Sequence, residues 1–260
     1  MSRSRTRNRN YNVEKIPYCN AMTNGLIKEV SDPMDYWTVL REMENKLLEL
    51  PIIEQIGGSC VLYSIQTAKQ VADNVNYDKP SCSAKIKRDG TQMRDQLRYL
   101  VNKDGKKGIF KDYNVSKKSQ QLKCIEDIIT ALKRGDVVVA GGGPATAQST
   151  PYAYPIKTIK KGKYRIKNTV PIFNHFRAGF LEHNICIVAC YHDKQEGPSF
   201  LTKMTNIRDD PIPAIRVNNV LLKTKHLSYG ILPIKNLMNE KLYLTEFASL
   251  PISKPLKIRF

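Results

Sequence analysis

Apolar periodicity changes once along this chain, and that change constrains the fold more than any single motif does. Up to about residue 135 the apolar residues recur at three- and four-residue steps. In "DYWTVLREMENKLLEL", Trp37, Leu40, Met43 and Leu47 fall on one helical stripe that Pro51 stops. From Cys60 onward Val61, Ile65, Ala68 and Ala72 form a second stripe, entered through Gly57, Gly58 and Ser59. A third helix is predicted over "RDGTQMRDQLRYLV", with Met93, Leu97, Leu100 and Val101 inward and Asp89 or Thr91 as cap. A fourth carries Ile125, Ile128, Ile129 and Leu132 and ends at Gly135. Beyond it "DVVVAG", "GKYRIKN", "HNICIVACY", "SFLTKMTN" and "KLYLTEF" read as short strands between Gly, Pro and charged turns. Helices first and strands second predict an α+β protein with segregated halves.

The organisation follows from that pattern. Residues 1–34 are expected to be a basic flexible arm closed by "SDP", and 35–51 an accessory or pro-segment-like helix. The domain proper is expected over 52–260, with a helical part at 52–135 and a β part at 136–260 that includes an extended, proline-broken C-terminal tail. No apolar run is long enough to span a membrane, and the N-terminus lacks the apolar core of a secretory signal. A cytoplasmic chain with six reduced cysteines is the expectation from these features. The net charge of +18 favours a polyanion such as nucleic acid, with Arg3, Arg5, Arg7 and Arg9 as the contacting arm. The competing reading is a solvated basic surface. Neither an aromatic-interleaved RNA-binding sheet nor zinc-finger spacing is present.

Candidate chemistry centres on "EQIGGSCVLYSI", residues 54–65. A cysteine in the first turn of a helix feels the positive end of the helix dipole, which favours the nucleophilic thiolate. The preceding glycines let backbone N–H groups approach a substrate carbonyl closely. The base would be His183, at the start of the apolar run "HNICIVACY", and Asn206 closes the following strand at the same kind of edge. The bland alternatives are a cysteine acting as a small core hydrophobe and a solvated histidine. No metal or cofactor site is expected. Strict alternation sets His183 opposite to Cys186, Cys190 and His192, and Cys186 and Cys190 stand about 13 Å apart at strand rise. "GGGPATAQ" lacks the Lys-Ser/Thr ending of a phosphate loop and reads as a turn between the halves.

Taken together, Gln-x-x-Gly-Ser-Cys opening a helix, a later His-Asn-x-x-x-Val-x-x-Tyr strand and a strand ending in Asn resemble the papain family of cysteine peptidases. "GGSCVLYSI" is similar to that family's Gly-Ser-Cys-Trp-Ala-Phe-Ser segment, and "EHNICIVACYHD" to its histidine strand. The resemblance runs from residue 51 to about 210 and implies a two-lobed fold, a helical lobe and a β-barrel-like lobe with a cleft between them. It implies Cys60 as nucleophile paired with His183, Asn206 orienting the imidazole, and Gln55 with the Cys60 backbone N–H holding the oxyanion. The implied reaction is thiolate attack on a peptide or isopeptide carbonyl of a polypeptide substrate, followed by thioester hydrolysis. A protease that matures or is packaged in a viral particle would fit, located in the cytoplasm or the virion.

The chain also departs from that family. Gln55 stands five residues before Cys60, one fewer than usual, and Val61 replaces the usual tryptophan. Ala189 replaces a common glycine, and "IRDDP" follows Asn206 where Ser-Trp-Gly is usual. These departures carry the alternative reading: an inactive papain-like scaffold serving as a structural or assembly component, contacting other particle proteins through its arm and tail.

Overall fold

In the computed structural model the chain is an α+β protein built on one mostly antiparallel sheet. The structure describes residues 19–20, 33–36, 39, 59–73, 111–115, 117–143, 146–151, 169–174, 183–203, 216–217, 220–221, 229–238 and 242–251. In chain order its main elements are β1 (Cys19–Asn20), α1 (Cys60–Asp73), β2 (Lys111–Val115), α2 (Gln121–Lys133), β3 (Val137–Gly143), β4 (Thr146–Pro151), β5 (Thr169–Asn174), β6 (His183–Asp193) and β7 (Gly197–Lys203). After these come β8 (Arg216–Val217), β9 (Val220–Leu221), β10 (Tyr229–Pro233), α3 (Ile234–Met238) and β11 (Tyr243–Leu250).

The main sheet has nine strands in the order β2-β11-β3-β6-β7-β10-β5-β4, with β1 paired to β6 and β8-β9 standing apart as a separate ribbon. Among the described strand pairings only β10–β5 is parallel, and the isolated bridge between Met34 and Asp193 is parallel too. Among the described residues the expected barrel-like lobe is not found: β2 and β4 are unjoined edges, so the sheet is open. It is nevertheless strongly curled. Two residues separate β3 from β4, which confines their adjoining ends to about 11 Å. Along the hydrogen-bonded path the same strands are five steps apart, about 24 Å if the sheet were flat.

Both faces of the sheet are covered. On one face Val61, Ile65, Ala68, Val71 and Ala72 of α1 pack on Val137 and Val139 of β3, Cys186 and Val188 of β6, and Leu201 of β7. On the other, Ile125, Ile128, Ile129 and Leu132 of α2 pack on Val138 and Ala140 of β3 and on Ile185 and Ile187 of β6. The alternation of β3 and β6 between these clusters is the period-two pattern of strands buried on both faces. α1 is buried well beyond one stripe: Leu62, Tyr63, Gln66 and Gln70 are buried as well, leaving Cys60, Lys69 and Asp73 partly exposed. Such a helix is a core element rather than a surface amphipath.

α2 ends as the sequence predicts. Gly135 adopts φ +84°, the left-handed conformation that glycine takes without a Cβ penalty. Arg134 then pairs with Asp136 at 2.9 Å and with Asp112, and Ser249 donates to Asp112 at 3.2 Å, fastening β2 to the centre of the sheet. At the other end of α2, the Gln121 amide receives the Leu244 N–H at 2.8 Å and donates to the Leu244 carbonyl at 2.6 Å. It serves as the strand partner where β11 slips register between Leu244 and Glu246.

Three expectations change on contact with the structure. The arm expected to be free to residue 34 is tied down at Cys19–Asn20, which pair with β6, and at Met34, whose N–H donates to the His192 carbonyl at 2.7 Å. Tyr36 and Val39 are fully buried against α1's face of the sheet, and the Tyr36 hydroxyl donates to the Tyr229 carbonyl at 2.9 Å. The start of the accessory helix is therefore part of the core. Next, β6 shifts register between Ile187 and Ala189, so its alternation inverts: Cys186 faces α1 while Cys190 faces α2. Finally, the cysteines are not all reduced. Cys190 is disulfide-bonded, and backbone pairing sets Cys19 opposite it, a long-range juxtaposition that linear spacing does not encode.

The stripe of Trp37, Leu40, Met43 and Leu47, the helix over "RDGTQMRDQLRYLV" and the "GKYRIKN" strand lie outside the described residues, as do the arginine arm and the C-terminal tail beyond residue 251.

Candidate functional site

Cys60 opens α1, as the sequence predicts. Its turn forms because the Ser59 carbonyl accepts the first helical bond from the Tyr63 N–H at 3.2 Å. The side chain is half-buried and packs at the margin of the α1-face core. One turn further, the Ser64 hydroxyl donates to the Asn184 carbonyl at 2.7 Å, locking α1 against the first residues of β6.

That lock determines what meets the sulfur. The Asn184 side-chain amide donates to Cys60 Sγ at 4.0 Å, at the outer reach of a sulfur hydrogen bond. Asn184 lies on the face of β6 that also presents Cys186 and Val188 to α1. Its carboxamide lies over Gly141, the residue paired with it on β3, where an added Cβ would stand 2.6 Å from Asn184 Oδ1. The glycine thus leaves room for the amide.

His183 goes the other way. It pairs with Gly142 and shares its parity with Ile185 and Ile187, on the α2 face. There it lines an apolar recess with Leu232, Leu237, Leu242 and Leu244. Burial pushes its pKa down to about 4. The structure therefore brings Asn184, not His183, to Cys60. Gln55 and Asn206, the other two residues expected at this site, lie outside the described residues.

A carboxamide beside sulfur has a limited repertoire. It donates a hydrogen bond to the sulfur or to an oxyanion, but it takes up no proton near neutrality, so it cannot serve as a general base. Asn184 Oδ1 is buried without a hydrogen-bond partner, at a cost of about 1–3 kcal/mol. Thr67 Oγ1 and both amide atoms of Gln70, further along α1, are buried without a partner as well. Sequence reading singled out Ser64 only as a motif position and missed Asn184 as the residue that meets Cys60. The adjacency of Asn184 to His183 was visible, but which of the two faces the helix was not.

The depressed titration of His183 gives a sign for the pH response. The unfolded chain binds a proton at this imidazole near pH 6.5 and the folded chain only near 4. Stability is then lost as pH falls from about 6.5 to 4, by up to about 3 kcal/mol. Urea midpoints across that range should fall, and His183→Leu should flatten the slope. An unchanged slope in the variant would show that the acid sensitivity lies elsewhere.

Comparison of the chain with known protein families and with curated proteins finds no match.

Proposed function

We propose that this chain is a papain-like scaffold acting as a structural or assembly component of a particle, with the cysteine position occupied by a thiol that meets the Asn184 carboxamide and not the His183 imidazole. The observation that supports this most directly is the Asn184 amide at 4.0 Å from Cys60 Sγ, with His183 on the far face of the sheet. The papain-like part of the reading draws on the helix that opens with Cys60 and packs on an antiparallel sheet, together with the motifs around residues 55–65 and 183–191. A particle suits the Cys190 disulfide better than a reducing cytoplasm does.

A peptidase acting on polypeptide substrates through Cys60 is the second reading, favoured by the half-buried thiol at the start of a 14-residue helix. One experiment separates the two. The protein is incubated at neutral pH with an epoxide or vinyl-sulfone peptide, and adducts are mapped by mass spectrometry. On the scaffold reading Cys60 is labelled no faster than a cysteine in an unfolded control peptide, and His183→Ala leaves the rate unchanged. Selective labelling of Cys60 that disappears in His183→Ala would establish the peptidase instead.

The partner implied by the charge is a polyanion reached through Arg3, Arg5, Arg7 and Arg9. Removing residues 1–10 is expected to lower the salt concentration at which the protein leaves heparin. Four lost arginines should also weaken the salt dependence of DNA binding, by roughly three to four counterions. Equal retention of the two forms would remove the arm from the interaction.

A further inference from the structure

The Asn184 carboxamide offers the head of α1 more than the single hydrogen bond it makes there. Asn184 is only 5% exposed, and its Nδ2 is aimed at Cys60 Sγ, 4.0 Å away. The other end of the same group, Oδ1, is buried without a hydrogen-bond partner. Buried polar atoms are paired in all but a few cases, so an acceptor left this way points to a group that donates to it. The residue paired with Asn184 on β3 is Gly141, which puts no side chain beside Oδ1; a Cβ there would stand 2.6 Å away. The Ser64 hydroxyl, bonded to the Asn184 carbonyl at 2.7 Å, holds this part of β6 against α1.

Cys60 differs from the other free thiols among the described residues. Cys124 and Cys186 are buried, at 2% and 0% exposure, whereas Cys60 is partly open to solvent. It stands in the first turn of a 14-residue helix, where N–H groups without helical partners and the macrodipole favour negative charge. A cysteine that solvent reaches holds a few per cent of thiolate near neutral pH, and thiolate is the form that peroxides oxidise. A thiol donates only weakly to an oxygen such as Oδ1. A sulfenic acid carries a full O–H donor beside a sulfur that accepts. It complements a carboxamide, which carries one acceptor and one donor side by side.

We propose that Cys60 is a site of reversible oxidation by hydrogen peroxide and that Asn184 holds the resulting sulfenic acid. A hydroxyl passes from the peroxide to the Cys60 sulfur. The S–O bond forms, the O–O bond breaks, and the remaining oxygen takes up the thiol proton and leaves as water. Sulfur is oxidised by two electrons and the peroxide is reduced. In the product the sulfenic O–H donates to Asn184 Oδ1 while Nδ2 keeps its donation to sulfur, so both ends of the carboxamide are satisfied. Persistence of the oxidised sulfur, rather than speed of oxidation, is what the site adds. An incoming thiol attacks that sulfur, the S–O bond breaks, and the hydroxyl leaves with the thiol's proton as water, giving a disulfide. A second thiol then restores Cys60. Neither His183 nor a polypeptide substrate takes part, so this chemistry is independent of the choice between scaffold and peptidase.

The test uses the full chain, treated briefly with sub-millimolar hydrogen peroxide that catalase then removes. Dimedone, which adds to sulfenic acids but not to thiols or disulfides, is supplied after increasing delays, and adducts are mapped by mass spectrometry. Cys60 is expected to carry the adduct, and its sulfenic acid should outlive that of a cysteine in an unfolded control peptide by about ten-fold or more. Asn184→Ala should shorten that lifetime by about ten-fold. Should this variant fail to fold, Asn184→Asp keeps the shape and an acceptor but lacks the N–H donor, and it should shorten the lifetime as well. Three results would overturn the proposal: Cys60 recovered as a thiol when the control peptide is oxidised, its passage to sulfinic acid without a trapped sulfenic stage, or a lifetime unchanged in the folded Asn184 variant.

Discussion

Gly142→Ala is expected to abolish stable folding. A Cβ at this position would stand 1.9 Å from the Tyr243 carbonyl oxygen and 2.8 Å from the Leu244 Cα, both backbone atoms of β11. No side-chain rotation relieves such contacts. β11 would have to separate from β3 where their register already slips, and the Gln121 clamp on Leu244 would open with it. The loss should exceed about 4 kcal/mol, the range reached when packing or backbone geometry fails outright. Circular dichroism and urea unfolding would read it. Gly141→Ala is the informative neighbour. Its nearest obstacle is the end of the Asn184 side chain, at 2.6 Å, and a side chain can swing aside. That variant should fold with a loss of about 1–3 kcal/mol and a displaced carboxamide. If Gly142→Ala unfolded no more readily than Gly141→Ala, the close approach of β11 to β3 would be wrong.

Asn184→His is the substitution with the largest expected effect on reactivity. It would set an imidazole where the carboxamide now meets Cys60 Sγ. Gly141 already keeps the space beside position 184 clear of a Cβ. A cysteine paired with imidazolium is largely thiolate, whereas an ordinary thiol is thiolate to only a few per cent near neutral pH. Alkylation of Cys60 by iodoacetamide at neutral pH should therefore rise about ten- to thirty-fold, with an acid limb that follows the imidazole. Asn184→Gln, which adds a methylene but no base, should show no such rise. If Asn184→His reacted at the parent rate, residue 184 would not govern the sulfur, and the reading that a carboxamide rather than an imidazole at this position sets the reactivity of Cys60 would lose its support.

The same residues show how far the sequence reaches. The stripe at Val61, Ile65, Ala68 and Ala72 placed Cys60 at the first turn of a buried helix, because a period near 3.6 with Gly and Ser before it has few other outcomes. The isoleucines of α2 and the glycine after it were legible for the same reason. Strand pairing was not. The tie between β1 and β6, and with it the oxidised state of Cys190, joins segments far apart in the chain, and local pattern carries no information about such partners.

By itself, then, the sequence determined that Cys60 heads a core helix and that α2 ends at Gly135, while the expected order of helices before strands does not hold, since β1 precedes α1, β2 precedes α2 and α3 lies between β10 and β11. Which residue faces that cysteine was decided only by the tertiary structure. Were one face of β6 solvated, alternation of apolar and polar residues would have announced its parity. Instead α1 covers one face and α2 the other, so the strand is a continuous apolar run whose two registers look alike in sequence. A one-residue difference in that register exchanges His183 for Asn184 opposite the sulfur. Packing both faces of the sheet fixed the choice and set a carboxamide where a base was expected.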